Sequence, residues 1–152
     1  MGSQMKDPIE FWYEFGSTYS YLSVMRIAAV AEAAGAEVIW RPFLLGPIFA
    51  DQGWNDSPFN LYPAKGRYMW RDLERLIEDA QVLAEILSDL NRDPAAIRES
   101  SNSSANKERL RCQTEEAKRR GIFGAPSFTV GDELFWGNDP LGTAVAWSLG
   151  LR

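Results

Sequence analysis

Four consecutive residues, Ser17-Thr18-Tyr19-Ser20, carry hydroxyl groups directly after a short aromatic run. Placed at the start of a helix, they would sit where backbone N–H groups are unpaired and the helix dipole is positive. A hydroxyl there has two uses. Ser17 or Ser20 can cap the helix, or the Ser17 O–H can donate to an anion held at the helix start, such as a ligand's thiolate. A cysteine at the first position would have its own thiolate stabilised in this place, but positions 17 and 20 are both serine. A second group, Gly124-Ala125-Pro126-Ser127, stands at a strand entry. A cis Ala125–Pro126 bond would leave the Ala125 backbone free to pair with a peptide-like ligand; the alternative is an ordinary strand-entry proline. A third is Trp136-Gly137-Asn138-Asp139. Its glycine permits close backbone approach, and Asp139 would suit a ligand's amino group. Helix capping by Asn138 and Asp139 is the alternative.

What the chain lacks narrows the chemistry. It has no histidine, so Ser-His and Cys-His nucleophile pairs cannot form and no imidazole can bind a metal. Its single cysteine, Cys112, allows neither an internal disulfide nor a thiolate zinc site. An enzyme built from this chain therefore needs an unusual nucleophile or one supplied by a bound cofactor. The 152 residues suit one domain. With 45% apolar and 24% charged residues, the chain falls among globular proteins. Lys and Arg total 16 against 21 Asp and Glu, a formal charge of −5 without a basic stripe, which argues against nucleic acid as partner. No apolar run approaches a membrane span. The polar start Met1-Gly2-Ser3-Gln4 does not resemble a leader, so a cytoplasmic location is expected.

The elements that must position these groups follow from spacing. Residues 10–15 read as a strand ended by Gly16. Leu22, Met25, Ala29 and Val30 recur at helical spacing over 20–34, with Gly35 as a left-handed cap. A second strand over 37–41 places Val38 and Trp40 on one face and stops at Pro42. Residues 46–63 are rich in glycine and proline and read as a long loop. From Ala64 the apolar positions Met69, Leu73, Leu76, Ala80, Leu83, Leu87 and Leu90 step by four and three, the pattern of one helix ending near Asn91. Asp93-Pro94 opens a short helix, residues 100–104 are a polar break, and 107–120 form a charged helix with Leu110 and Ala117 inward, closed by Gly121. Cys112 lies on its polar side. Strands 127–130 and 134–136 flank Gly131-Asp132 as an antiparallel hairpin. Asn138-Asp139-Pro140 caps a last helix through Leu149. The order β-α-β, helical middle, α-β-β-α is that of an α/β thioredoxin-like fold with a helical insertion between its halves.

Five segments in this order resemble one family. Phe15-Gly16-Ser17-Thr18-Tyr19-Ser20-Tyr21-Leu22, Arg41-Pro42-Phe43-Leu44-Leu45-Gly46, Pro63-Ala64-Lys65-Gly66-Arg67-Tyr68-Met69, Gly121-Ile122-Phe123-Gly124-Ala125-Pro126-Ser127-Phe128 and Phe135-Trp136-Gly137-Asn138-Asp139 look like the 2-hydroxychromene-2-carboxylate isomerases. These are relatives of kappa-class glutathione transferases and, more distantly, of DsbA-type oxidoreductases. The resemblance implies a thioredoxin-like domain over 8–45 and 118–152, an inserted helical domain with an active-site loop over 46–117, bound glutathione and a homodimer. It implies Ser17 as the active serine. It carries glutathione contacts to Ser17, Ala125, cis-Pro126, Trp136, Gly137, Asn138 and Asp139, and to an asparagine before the Pro63 helix, Asn60 in preference to Asn55.

The chain departs from the family at Thr18, where proline is common, and at Pro140, where arginine is frequent. It is also shorter. Residues 67–76 look like the family's first insertion helix and 79–90 like a much later one, with a join near Leu76-Ile77-Glu78. Spacing alone predicts an unbroken helix there; the resemblance predicts a break or sharp reversal between Leu76 and Asp79. The activity implied is glutathione-dependent cis–trans isomerisation of a hydroxychromene carboxylate or a similar aromatic pyruvate. The alternatives are a kappa-type glutathione transferase or peroxidase at the same site, and a non-catalytic glutathione-binding protein. Disulfide exchange is excluded at Ser17 and Ser20, which carry no thiol.

Overall fold

The computed structural model describes residues 7–76 and 102–151. The chain runs β1 (Ile9–Tyr13), α1 (Thr18–Ala34), β2 (Val38–Pro42), α2 (Leu45–Asp51), α3 (Pro58–Leu61), α4 (Pro63–Leu76), α5 (Ser104–Arg119), β3 (Ser127–Val130), β4 (Glu133–Trp136) and α6 (Leu141–Ser148). The strands form one sheet in the order β2-β1-β3-β4. β1 and β2 are parallel, with Ile9 opposite Val38 and Tyr13 opposite Pro42. β3 runs antiparallel to both β1 and β4. The architecture is the thioredoxin-like one read from the order of elements.

Alternation along β1 divides the core, because successive side chains point to opposite faces of a strand. Ile9 and Phe11 face one side with Phe128 and Val130, covered by Ile27 of α1 and by Leu141, Ala144 and Val145 of α6. Phe11 stacks on Phe128 with ring centroids 5.2 Å apart. Trp12 faces the other side and packs with Phe43, Leu45, Ile48, Ala117 and Ile122. The second layer is therefore made by α2 and α5.

Several local expectations hold. Gly35 closes α1 at φ 66°, its N–H donating to Ala31 and Glu32 carbonyls. The β3–β4 hairpin turns at Gly131, φ 59°, with Val130 opposite Glu133. Others are corrected. Residues 46–63 are not one long loop: they contain α3 and most of α2. Gly46 and Pro47 fall in the first turn of α2, where a missing N–H costs nothing because those donors have no intrahelical partner. Leu45 and Ile48 then bury against Trp12. Ser57 caps α3 and Pro58 follows at its first position, a start signal masked by the surrounding turn residues.

Boundaries shift elsewhere for physical reasons. β1 ends at Tyr13, and Phe15 is 90% exposed. α1 begins at Thr18 because Ser17, not a later residue, is its cap. β2 includes Pro42, tolerated because β2 is an edge strand and a proline there breaks no ladder bond. Ser103 caps α5, starting it three residues before Lys107. The last helix is capped by Pro140 without any side-chain hydrogen bond, so Asn138 and Asp139 do not cap it. The continuation of the Ala64 helix to Asn91, the Leu76–Asp79 join and the helix after Asp93-Pro94 lie outside the described residues. Among the described residues, no helix is long and apolar enough to cross a membrane.

Candidate active site

β1 delivers the chain to a turn over Glu14, Phe15 and Gly16, and Ser17 opens α1 from it. The Ser17 backbone N–H donates to the Glu14 carbonyl at 3.0 Å. The Ser17 hydroxyl does two things at once. It accepts from the Ser20 N–H at 3.3 Å, which is the cap, and it donates to the Ala125 carbonyl at 2.9 Å. The capping reading of this residue therefore holds, and Ser17 also points across the fold at the loop that carries Pro126. The Ala125–Pro126 bond is cis. The first turn of α1 itself contains no acidic residue, which suits the positive end of the helix dipole to an anion.

The third segment closes the far side of this loop. The Gly137 N–H donates to the Pro126 carbonyl at 2.9 Å, and Gly137 has φ 103°, which favours glycine. Trp136 is 56% exposed, its ring 5.0 Å from that of Phe123. A Cβ on Gly124 would lie 2.4 Å from the Trp136 Nε1, so this indole rests directly on the Gly124 backbone. Asn138 is turned inward. It is 8% exposed, and its Oδ1 accepts from the Ser23 hydroxyl at 3.1 Å and from Arg26 at 3.3 Å. Its side-chain carbonyl is thus spent on holding this loop against α1, a role that its place beside Asp139 did not reveal. Asp139 stays exposed.

α3 and α4 complete the neighbourhood. Phe59 packs on Tyr19 with centroids 6.4 Å apart, and Met69 buries against Leu22. Asn60 follows Phe59 and is exposed; its amide donates to Asp56 Oδ1 at 3.0 Å. Asn55 is exposed as well. The structure brings Ser17, Ala125, Pro126, Trp136 and Gly137 together around one loop. Asn60 lies on a neighbouring helix and makes no described hydrogen bond to them.

Two groups beside Ser17 have shifted ionisation. Burial pushes the Tyr19 phenol up to about 12, helped by its hydrogen bond to Asp72 and by the nearby Asp72, Tyr68 and Asp139 charges. Burial also raises the Glu14 carboxyl, partly opposed by a hydrogen bond from the Gly16 backbone. The sequence placed Tyr19 in its first candidate group but showed neither its pairing with Asp72, which forms only once α4 has docked, nor the burial of Glu14. Cys112 is exposed on α5, on the polar side where the spacing placed it. Among the described residues, no group of His, Cys, Asp and Glu could hold a metal ion.

Comparison with known proteins agrees with this geometry. The chain is 25% identical to a 2-hydroxychromene-2-carboxylate isomerase of Sphingobium xenophagum, over 90% of this chain and 95% of that protein. That alignment spans 188 positions, more than the chain possesses, so the relative carries residues without counterpart here. A protein of the same name from Pseudomonas putida is 38% identical over 69 residues, 45% of this chain and 34% of its own length. Among solved structures, a 2-hydroxychromene-2-carboxylate isomerase superposes with a TM-score of 0.72 at 20% identity, covering 95% of this chain and 98% of the other, which shows a shared fold. The model of the DSBA-like thioredoxin domain matches in two overlapping stretches, residues 8–82 and 74–146. With nearly its whole length matched and the cis-proline loop facing the N-cap of α1, the chain belongs to the DSBA-like thioredoxin domain family.

Proposed function

We propose that this chain is a glutathione-dependent isomerase acting on 2-hydroxychromene-2-carboxylate or a similar aromatic pyruvate. The observation that carries the reading is the Ser17 hydroxyl, set at the start of α1 and aimed at the Ala125 carbonyl of the cis-proline loop. The relative that it matches over most of both lengths bears that isomerase's name. A family frame with serines at both positions of the redox pair retains the means to hold a thiolate but not to exchange disulfides.

The residues present fit glutathione. Its thiolate, when bound, supplies reversible addition to a conjugated alkene, so that the bond can rotate as a single bond before elimination. The chain's own groups do the rest. Ser17 would hold the sulfur by exchanging partners, its O–H turning from Ala125 to make a charge-assisted bond stronger than the neutral one it replaces. The Ala125 carbonyl would then be free to accept from the ligand's peptide N–H. The positive end of α1 would lower the thiol's pKa without help from histidine. Trp136 and Gly137 form the wall beside the loop, and exposed Asp139 faces outward for an ammonium group. We read Asn60 as a further contact on α3, and the working unit as a cytoplasmic homodimer.

The test is direct. The chain is mixed with 2-hydroxychromene-2-carboxylate, with and without glutathione, and approach to equilibrium is followed by absorbance. Acceleration only with glutathione is expected. Acceleration that ignores glutathione would overturn the cofactor assignment, and no acceleration would overturn the activity. A panel of electrophiles and peroxides run in parallel would expose a transferase or peroxidase instead.

A further inference from the structure

We propose that Tyr19 and Asp72 are a positioning pair, which holds the first turn of α1, and with it the Ser17 hydroxyl, by tying that turn to α4. The Tyr19 hydroxyl donates to Asp72 Oδ2 at 2.8 Å. The contacts beside it run the same way. The Thr18 hydroxyl donates to the Met69 sulfur at 3.1 Å, Tyr19 leans on Phe59, and Leu22 buries with Met69. Three residues of the first turns of α1 are thus held by one segment, 59–72, that is distant in sequence. Ser17 itself has no contact with that segment among its described hydrogen bonds, which go to Ala125 and to the Ser20 N–H. Asp72 therefore acts on Ser17 only through the helix.

The chemistry suits a tether rather than a switch. A phenol donating to a carboxylate makes a charge-assisted bond, about twice as strong as a neutral one. The phenol keeps its proton far above neutrality, so the bond persists throughout the working range. Ser17 holds its cap and its cross-loop bond with one oxygen, and a tilt of the first turn would misalign both. Misplacement by about 1 Å can cost on the order of 10²-fold in rate. The consequence for catalysis rests on the isomerase reading above; the hold on α1 does not.

The experiment compares Tyr19→Phe, Asp72→Ala and Asp72→Asn in the full chain. Tyr19→Phe and Asp72→Ala should lower kcat about tenfold, leave KM for the aromatic substrate unchanged and raise the pKa of bound glutathione's thiol, read from thiolate absorbance. Asp72→Asn keeps an acceptor for the phenol and should restore most of the loss. A fall in melting temperature with kcat and thiol pKa unmoved would mean a merely structural contact and would overturn the proposal. If the unsubstituted chain neither binds glutathione nor isomerises, the isomerase reading falls separately. Amide hydrogen exchange then decides the pair: for Tyr19→Phe, a speeding of exchange relative to the unsubstituted chain that is larger over the first two turns of α1 than over its last turn supports it, and an equal or absent change overturns it.

Discussion

β1 serves two polar regions built on opposite plans. In its first half, the Glu10 side chain is 13% exposed and every charge around it is matched. Arg41 donates through Nε at 3.0 Å and Nη2 at 2.5 Å, Arg120 binds the second oxygen, and the Thr129 hydroxyl donates to it at 3.2 Å. Thr129 in turn accepts from the Trp12 indole at 3.0 Å. The Arg41 and Arg120 guanidiniums lie over the Trp12 ring, 5.8 and 5.6 Å from its centroid. At the other end, beyond Tyr13, Ser17 holds one neutral hydrogen bond to a backbone carbonyl amid exposed Phe15, Phe123 and Trp136. The first region is closed: both oxygens of the Glu10 carboxylate are taken by partners within the fold. The second is exchangeable: a ligand can replace the Ser17–Ala125 bond with a better one. A groove of about 620 Å³ beside the first region is lined by Glu10, Arg120 and Thr129, away from Ser17.

The largest expected effect would break the closed region. Glu10→Ala takes the shared carboxylate from two guanidiniums that are each about a third exposed, with Arg120 keeping Glu116, and loss of such a hydrogen-bonded charged group costs about 2 kcal/mol. Urea denaturation of the full chain should show that loss, with activity of the folded fraction nearly unchanged. A stability loss near zero would mean that Glu10 is solvated and the contrast between the regions false.

Ser17→Ala should do the reverse. Loss of a hydroxyl that stabilises a thiolate is expected to lower turnover by roughly 10²-fold, while loss of the cap costs about 1 kcal/mol. Unchanged turnover with a lowered melting temperature would leave Ser17 as a cap alone.

A third substitution sharpens the exchangeable side. A Cβ at Gly124 would meet a half-exposed indole, so Trp136 can swing outward at little cost to stability. Gly124→Ala should therefore weaken glutathione binding several-fold, about 1 kcal/mol of binding free energy. Calorimetry checks this; unaltered affinity would show that Trp136 does not touch the ligand.

How much of this was legible in advance differs between the regions. The exchangeable site rests on short-range signals: Ser17 after a strand, proline before a strand, Gly137 after a strand. Each residue announces a local backbone state, and the thioredoxin-like order follows from them. The closed region is invisible locally. Glu10, Arg41, Arg120 and Thr129 sit on four different elements, and only the register that sets Glu10 opposite Thr129 brings them together. Tyr19 and Asp72 are likewise joined only by docking of α4. α2 was missed for another reason: Gly46 and Pro47 are breakers inside a helix but harmless in its first turn.

The smallest effect concerns Glu14, at the boundary of the two regions. Its carboxylate folds back over Gly16, where an added Cβ would lie 3.1 Å from Oε2. Burial raises its pKa above the ordinary 4.5, so the folded chain binds this proton more tightly than the unfolded chain does. Stability from this group is complete below the unfolded value and is lost as pH rises through the folded one, because ionising a half-buried carboxyl costs more than ionising it in water. Glu14→Gln removes the titration and keeps an acceptor for the Gly16 N–H. The variant and the unsubstituted chain should therefore melt alike below about 4.5 and diverge above it, the variant being the more stable at neutral pH. A Glu14 anion beside Ser17 also opposes a second anion there, so Glu14→Gln should lower the thiol pKa of bound glutathione slightly. Melting curves that stay parallel across this pH range would show that Glu14 ionises as freely in the folded chain as in water.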